Sequence, residues 1–215
     1  MLPASGRLKT QRRTGRIPPR TEPTAPPEAG SDEAVVRAVL GGDVGQFETL
    51  VRRYQRPIVG FLYRMVADLD LARDLSQDVF VRVYGSLDRY DARFRFTTWL
   101  YRIAANCAID HLRRRRLTTT SLDAPRRLED GDWFAQPAGD TPDPARCFEA
   151  KEELGRLERS IRRLPVEYRE LVLLRHSAHL SYDEMAKVTG RPLGTVKNRL
   201  FRARETLREL MEQES

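Results

Sequence analysis

Residues 180–204 read LSYDEMAKVTGRPLGTVKNRLFRAR, and this stretch predicts two helices joined by a tight turn. Ser181 followed three residues later by Glu184 forms a capping box, which marks the start of a short helix. Gly190 can adopt the positive φ angle that ends this helix, and residues 191–194 then form the turn. A second helix follows at once, so the stretch is typical of a helix-turn-helix.

The second helix of this motif separates an apolar face from a basic face. The small Ala186 stands where the two helices must cross closely, and Thr195 with the free amides at the helix start can hold a phosphate. Arg and Asn side chains suit guanine and adenine edges in the major groove. A helical hairpin with a solvated basic face is the alternative, but the coincidence of these features favours DNA binding. The inward-facing residues are Val196, Leu200, Ala203, Leu207 and Leu210. The candidate DNA contacts are Arg191, Thr195, Lys197, Asn198, Arg199, Phe201 and Arg202.

The composition supports a polyanionic partner. Lys and Arg number 38 against 31 Asp and Glu, a net charge of +7 over 215 residues, which points to nucleic acid or an acidic membrane surface. On charge alone, a solvated basic surface with no partner is an equally good alternative. We expect no membrane insertion and no secretory signal, because no apolar run reaches the length of either. Cys107 and Cys147 are the two cysteines and make no disulfide framework, which fits a reducing cytoplasm.

The chain divides into four parts. We expect residues 1–31 to form a basic, proline-rich arm too poor in apolar side chains to become ordered. This arm either contacts DNA or acidic protein surfaces or is a passive tail. Residues 32–117 show helical periodicity, as do residues 147–213. Residues 118–146 are rich in Pro, Gly and acidic residues and indicate a flexible linker. No segment alternates with period two, so we predict an all-α fold of two small helical domains.

The first domain is predicted to contain four helices. Ser31 caps the first helix, whose apolar side carries Val35, Val36, Val39 and Leu40. The second helix is expected to kink or break at Pro57. A turn at residues 68–70 precedes the third helix, and a loop at residues 85–96 precedes the fourth, which spans residues 97–116.

Aromatic and basic residues alternate in the loop before the fourth helix. Tyr90, Phe94 and Phe96 are interleaved with arginines, a pattern that suits single-stranded nucleic acid because bases stack on rings while phosphates pair with cations. Packing of these rings into the core is an equally good alternative. Four arginines at residues 113–116 exceed what a helix C-terminus needs, which favours phosphate contact.

The third helix carries a polar stripe opposite its apolar residues. Asp74, Gln77, Asp78 and Val81 share this face, which can dock on a basic partner protein. The pattern alone slightly favours the alternative, a solvated surface.

Three separate stretches resemble the extracytoplasmic-function (ECF) group of bacterial sigma factors. DLSQDVF at residues 74–80 is similar to that family's helix for binding core RNA polymerase. FTTWLYRIAANCAIDHL at residues 96–112 is similar to its helix for promoter melting and −10 recognition. Residues 164–167, 180–186 and 194–204 together resemble its −35 module, and the three motifs occur in the family's order and spacing.

The resemblance implies a sigma factor that binds core RNA polymerase and directs initiation at −35 and −10 promoter elements. It implies that the stripe on the third helix meets the clamp of the largest polymerase subunits, and that the aromatic loop holds a flipped base. It also implies an anti-sigma partner, which can hold the factor at the membrane. The implied polymerase contacts are Asp74, Gln77, Asp78 and Val81. The implied −10 and melting contacts are Tyr90, Arg93, Phe94, Phe96, Asn106, Arg113, Arg114 and Arg115.

Two other classes of protein compete with this interpretation. A homodimeric operator-binding regulator would explain the helix-turn-helix but not the first domain. A hydrolase or metal site using Cys107 and His111, or His176 and His179, lacks the remaining ligands or catalytic partners, and Cys107 falls on an apolar stripe. We therefore expect no enzyme activity, cofactor, metal or small-molecule substrate.

Overall fold

The computed structural model describes residues 30–118 and 144–213, and within these stretches every regular element is helical. We call residues 30–118 the N-terminal bundle and residues 144–213 the C-terminal bundle. Their helices are α1 Asp32–Leu40, α2 Phe47–Val66, α3 Leu69–Gly85, α4 Phe96–Thr118, α5 Pro144–Arg163, α6 Val166–His176, α7 Tyr182–Thr189 and α8 Leu193–Glu212. The predicted all-α fold is confirmed, while the predictions for the arm and for most of the linker lie outside the described residues.

The predictions of helix caps are confirmed in both bundles. The Ser31 hydroxyl accepts a hydrogen bond from the Ala34 amide at 3.2 Å and starts α1. Ser181 and Glu184 form the reciprocal capping box of α7, and Gly190 ends that helix with φ 64°. The turn that follows is shorter than the predicted 191–194, because α8 already begins after Pro192. Proline presets a φ angle suited to a helix start.

Three local expectations in the N-terminal bundle are corrected. Of the kink or break expected at Pro57, the break is corrected: helix α2 continues through Pro57, and the apolar residues buried beyond it offset the lost backbone bond. Asp68 is not part of a separate turn but caps α3 by accepting from the Leu71 amide at 3.0 Å. Leu40, expected on the apolar side of α1, is exposed at the end of the helix.

The two bundles pack against each other, which the sequence pattern did not predict. Helix α4 lies on α7, α2 lies on α5 and α6, and the buried side chains of both bundles form one continuous apolar cluster. Polar contacts surround it. Arg162 Nη2 donates to the Tyr63 hydroxyl oxygen at 2.6 Å, and Arg169 Nη1 donates to the Met65 carbonyl at 2.6 Å.

Candidate nucleic-acid and polymerase interfaces

The loop before α4 rests on a group of packed aromatic rings. The Tyr90 ring lies 5.7 Å from the Phe96 ring and 5.5 Å from the Trp99 ring, measured between centroids. Phe96 is 1% exposed, so its predicted contact with DNA is corrected: the ring packs against Tyr90 and Trp99 and supports the loop from within the core. The Tyr90 hydroxyl donates to the Phe94 carbonyl at 2.7 Å and thereby shapes the loop.

Arg93 and Phe94, two of the predicted contacts in this loop, are exposed, as are Arg89 and Arg95. The Arg93 Nε donates to the Asp91 carboxylate at 2.9 Å, and this contact holds the pKa of Asp91 below its ordinary value. Both side chains are open to solvent, so the pair is weak and Arg93 can exchange the carboxylate for a phosphate. Phe94 keeps part of its ring accessible. The loop therefore exposes an aromatic ring and a guanidinium at consecutive positions of the chain.

One exposed face of α4 continues from the loop. Asn106 and Arg113 lie on it seven residues apart, and Arg102 precedes Asn106 by one turn on the same face. With 1.5 Å of rise per residue, Arg113 stands about 25 Å along the helix from Phe96. Arg114 and Arg115 are also exposed near the end of α4. Arg102 was missed by the sequence analysis, although its four-residue spacing from Asn106 was a usable signal.

The stripe on α3 faces solvent along its length. Asp74, Gln77 and Asp78 are exposed, and the apolar Val81 is 71% exposed, while Leu75 and Val79 on the opposite side are buried. The stripe therefore presents one apolar side chain and two carboxylates to solvent. Next to the stripe, α2 and α3 border a cleft of about 610 Å³. Its lining includes Val51, Val59, Gln77 and Phe80.

The C-terminal bundle has a cleft where α8 begins. Its volume is about 700 Å³. Four of the predicted contacts line it together, namely Thr195, Asn198, Arg199 and Arg202. The start of α6 forms the opposite wall through Pro165, Glu167 and Tyr168, of which Tyr168 was not anticipated from the sequence. The structure thus brings guanidinium, amide and hydroxyl groups to one opening.

The other three predicted residues of this module lie outside the cleft. Lys197 is exposed on the flank of α8, and Phe201 beside it is 62% exposed. Arg191 lies in the turn before α8 and is partly buried. The cleft and the Lys197–Phe201 flank belong to one continuous exposed arc of α8, opposite the buried Val196, Leu200 and Ala203.

A buried carboxylate lies beneath the turn and α8. Glu170 of α6 is 2% exposed, and burial raises its pKa, although the charges of Arg191 and Arg199 act in the opposite direction. These two arginines belong to the turn and to α8, the elements that carry the predicted DNA contacts. The charges of these two arginines thus partly offset the effect of burial on Glu170.

The alternative catalytic and metal sites find no support in the geometry. Cys107 is buried, and desolvation raises its thiol pKa, which disfavours the nucleophilic thiolate. Desolvation lowers the pKa of His111. Among the residues that the structure describes, no three His, Cys, Asp or Glu side chains are grouped so as to hold a metal ion. In the same residues no helix combines the length and apolar character needed to span a bilayer.

The C-terminal bundle contains a helix-turn-helix with a basic cleft, and the N-terminal bundle carries an aromatic and basic loop. This combination is typical of helical DNA-binding proteins that act in transcription. The Sigma-70 region 2 family model matches residues 50–118, and the Sigma-70 region 4 model matches residues 154–207. The chain belongs to the ECF group of bacterial sigma-70-family sigma factors. It binds core RNA polymerase and promoter DNA and directs promoter-specific transcription initiation.

Curated relatives match over most of their length. The chain is 36% identical to the RNA polymerase sigma-H factor of Pseudomonas aeruginosa, covering 82% of this chain and 91% of the relative. It is 33% identical to the ECF sigma factor SigW of Bacillus subtilis, and the match covers 81% of this chain and 93% of SigW. The ECF sigma-E factor of Escherichia coli is 34% identical over 82% and 92%.

Solved structures show the same fold. CnrH in complex with the cytosolic domain of CnrY is similar with a TM-score of 0.62 and 24% identity, covering 86% of this chain and 99% of that one. The sigma factor RpoE in complex with the anti-sigma factor NepR from Bartonella quintana gives a TM-score of 0.61 at 20% identity, covering 77% and 96%. At these identities the likeness concerns the arrangement of the helices.

Proposed function

We propose that the two bundles divide promoter recognition, with the C-terminal bundle reading the −35 duplex and the N-terminal bundle holding the opened −10 strand. The observation that carries the proposal is the cleft at the start of α8, where Thr195, Asn198, Arg199 and Arg202 converge. A recognition helix contacts base edges with its first turns, and Arg and Asn are suited to guanine and adenine. Phe201 on the adjoining flank suits a thymine methyl group.

In the N-terminal bundle, Phe94 and Tyr90 would border a pocket for an extruded base while Arg93 holds a phosphate. Extruding a base costs a few kcal/mol, which stacking and edge hydrogen bonds can offset. Asn106 lies further along α4 with an exposed amide, and Arg113, Arg114 and Arg115 end the same helix. The exposed face of α4 is about 25 Å long and can follow several nucleotides of single strand.

The stripe formed by Asp74, Gln77, Asp78 and Val81 would bind the clamp of the largest polymerase subunits. Its support is the combination of exposed carboxylates with an exposed valine next to an apolar cleft. Phosphodiester chemistry would belong to the polymerase, and this chain would contribute positioning alone. The site of action would be the cytoplasm.

An anti-sigma protein would hold the factor inactive. The support is indirect, because the RpoE structure is itself a complex with an anti-sigma factor. Co-purification of the tagged chain from its native host, with and without stress, tests this part of the proposal.

Reconstitution with purified core RNA polymerase tests the main proposal. We expect the chain to direct transcripts from a defined set of genomic start sites that core polymerase alone does not use, and those start sites to share an upstream motif. Asp78→Arg should abolish polymerase binding, while Glu209→Arg, which makes the same change of two charges at an exposed position near the end of α8, serves as the charge control. Absence of polymerase binding, or no effect of Asp78→Arg on it, would overturn the assignment of the stripe.

A further inference from the structure

One side of α4 is open to solvent. Among the residues of α4 whose exposure the structure describes, those that are exposed are Arg102, Asn106, Asp110 and residues 113–115. The first three follow one another at four-residue steps, so they form a single row along the helix with a rise of about 6 Å per step. We call Arg102, Asn106 and Asp110 the α4 row. It carries a guanidinium, an amide and a carboxylate in turn.

Asp110 is the acidic residue of a surface whose other exposed members suit DNA. Asn106 lies one turn before it, and the arginines at 113–115 follow within a turn and a half. Amide and guanidinium groups bind bases and phosphates, whereas a carboxylate repels the DNA backbone. Such a group lowers the affinity for DNA in general unless it accepts a hydrogen bond from the nucleic acid. The position of Asp110 therefore indicates selection among bases.

Contacts within α4 leave the Asp110 carboxylate available to DNA. Arg114, four residues further on, donates from Nε to the main-chain carbonyl of Asp110 at 3.3 Å. Both residues are exposed, and an ion pair between exposed side chains at this spacing is weak. Such a pair would open when a better donor is present, so the carboxylate can exchange an arginine for an amino group of a base.

The stripe on α3 raises the possibility of a different partner for Asp110, namely the polymerase. Burial is the main cause of the raised pKa of the Cys107 thiol, and the charges of Asp78 and Asp110 add to it. Asp110 therefore lies near the edge of α4 that faces the stripe. Its neighbours on α4 nevertheless favour DNA, because the arginines at 113–115 would repel the basic partner that suits the stripe.

The distance of Asp110 from the loop determines where it would meet the promoter. At 1.5 Å of rise per residue, Asp110 stands about 21 Å along α4 from Phe96. Because α4 leads towards the −35 module in the chain, its C-terminal half lies on the upstream side of the loop. We therefore expect Asp110 to face paired bases at the upstream edge of the opened −10 segment, where the major groove presents their edges.

The chemistry of base edges narrows the ligand to cytosine. A carboxylate only accepts hydrogen bonds, so it requires an amino group and is repelled by the acceptor atoms of guanine and thymine in the major groove. Adenine carries the N7 acceptor beside its amino group, whereas the N4 amino group of cytosine has no acceptor of the same base beside it there. Cytosine is therefore the base that a carboxylate suits.

We propose that Asp110 is a specificity-determining residue, which selects a cytosine upstream of the −10 strand by accepting a hydrogen bond from its N4 amino group. The inference rests on the proposed role of the N-terminal bundle in binding the −10 region. Any other base at that position places an acceptor atom near the carboxylate. Asp110 thereby adds to the α4 row a position that rejects bases, in addition to those that attract DNA.

The isosteric variant Asp110→Asn tests this role in holoenzyme assembled from core RNA polymerase and the full-length chain. The templates form a library built on one promoter that the wild-type holoenzyme uses, with the bases of the −10 element and those upstream of it randomised. Each template carries a barcode in its transcribed part, so that sequencing the transcripts gives the activity of every promoter sequence.

We expect the wild-type holoenzyme to prefer cytosine about tenfold at one position upstream of the −10 element. Asp110→Asn should lose this preference and favour adenine there, because asparagine can bind N6 and N7 of adenine together. Asp43→Asn is the matched control, since it removes the same charge from an exposed residue in the turn between α1 and α2 whose side chain makes no cap. The control should leave every base preference unchanged, and both variants should bind core polymerase as wild type does.

Phe94→Ala separates failure of this inference from failure of the proposed function. If Phe94→Ala leaves both activity and the −10 preferences unchanged, the N-terminal bundle does not hold the −10 strand as proposed, and the role of Asp110 falls with it. If Phe94→Ala acts but Asp110→Asn shifts no base preference, the role of Asp110 alone is overturned. Weaker polymerase binding by Asp110→Asn with the cytosine preference retained also overturns it, and so does a wild-type preference for another base at that position.

Discussion

The N-terminal and C-terminal bundles treat buried polar groups differently. Among the described residues, the buried polar side chains of the N-terminal bundle are the hydroxyls of Ser76 and Thr98. The C-terminal bundle instead encloses the carboxyl group of Glu170 and much of the Arg169 guanidinium, whose nitrogens donate to carbonyls including Leu164 at 3.1 Å. Among the described residues, charged side chains of the N-terminal bundle thus lie at the surface, whereas the C-terminal bundle buries two ionisable groups.

This difference suggests how each bundle holds its interface. Apolar packing positions the loop and α4 in the N-terminal bundle, with rings such as Tyr90 and Trp99 supporting the surface. In the C-terminal bundle, the turn and α8 are in addition coupled to Glu170 through Arg191 and Arg199. The effects of substitutions on stability and on DNA binding should therefore differ between the two bundles, both in magnitude and in their dependence on pH.

Removing an aromatic ring from the N-terminal core should have the largest effect. Phe61 is fully buried and makes an edge-on contact with Tyr101 at 5.3 Å between ring centroids. Phe61→Ala should lower the free energy of unfolding by about 3–5 kcal/mol in a urea titration. The control is Phe201→Ala in the exposed arc of α8, expected to change it by less than about 0.5 kcal/mol. Equal losses would contradict the division between core and interface rings.

Truncating Arg202 should affect DNA binding more than stability. Its guanidinium lines the cleft with Asn198, so Arg202→Ala should weaken binding of the −35 duplex by about 1–3 kcal/mol at fixed salt. Arg208→Ala removes the same charge at the far end of α8 and serves as the control. If the two variants lose the same affinity, the cleft contributes only general electrostatic attraction.

Loss of the Ser181 cap of α7 should lower the free energy of unfolding by less than the loss of the Phe61 ring. Ser181→Ala removes the hydroxyl that accepts from the Glu184 amide and should lower the free energy of unfolding by about 1 kcal/mol. Ser181→Gly should lower the free energy of unfolding by only a few tenths of a kcal/mol, since glycine is tolerated at this position. A thermal melt of both variants distinguishes them, and an alanine variant as stable as wild type would show that the cap is dispensable.

The elements that could be predicted from the sequence are those governed by local chemistry. The capping box at Ser181, the left-handed Gly190 and the apolar face of α8 each follow from residues within a few positions of one another. The continuation of α2 through Pro57 did not follow, because the local cost of proline is offset by the tertiary burial of residues such as Phe61 and Met65. Periodicity alone does not show how deeply a helix face will be buried.

The residues of the candidate sites also divide into those that the sequence could predict and those that depend on tertiary packing. The exposure of Asp74 and Asp78 followed from helical spacing, whereas the burial of Phe96 did not, because alternating aromatic residues do not show which ring points inward. The contact between Thr98 and Glu184 was not predictable either, since these residues are 86 positions apart and belong to different periodic segments.

The smallest predicted effect tests the buried charge of the C-terminal bundle. Burial raises the pKa of Glu170 in the folded chain above its unfolded value, so the folded state prefers the neutral carboxyl group. The cost of keeping it ionised is absent below the unfolded pKa, grows as pH rises, and is complete above the folded pKa. Glu170→Gln should therefore be more stable than wild type at neutral pH, by about 1 kcal/mol or less, and the advantage should vanish in acid.

The same substitution should weaken −35 binding at neutral pH, because the charges of Arg191 and Arg199 no longer interact with a carboxylate at position 170. Urea titrations at neutral and acidic pH measure the stability difference, and duplex binding at neutral pH measures the loss of positioning. Glu167→Gln, an exposed neighbour on α6 that also lines the cleft, controls for charge at the DNA surface. If the stability advantage of Glu170→Gln were independent of pH, it could not come from the ionised carboxyl group, and the proposed contrast between the bundles would fail.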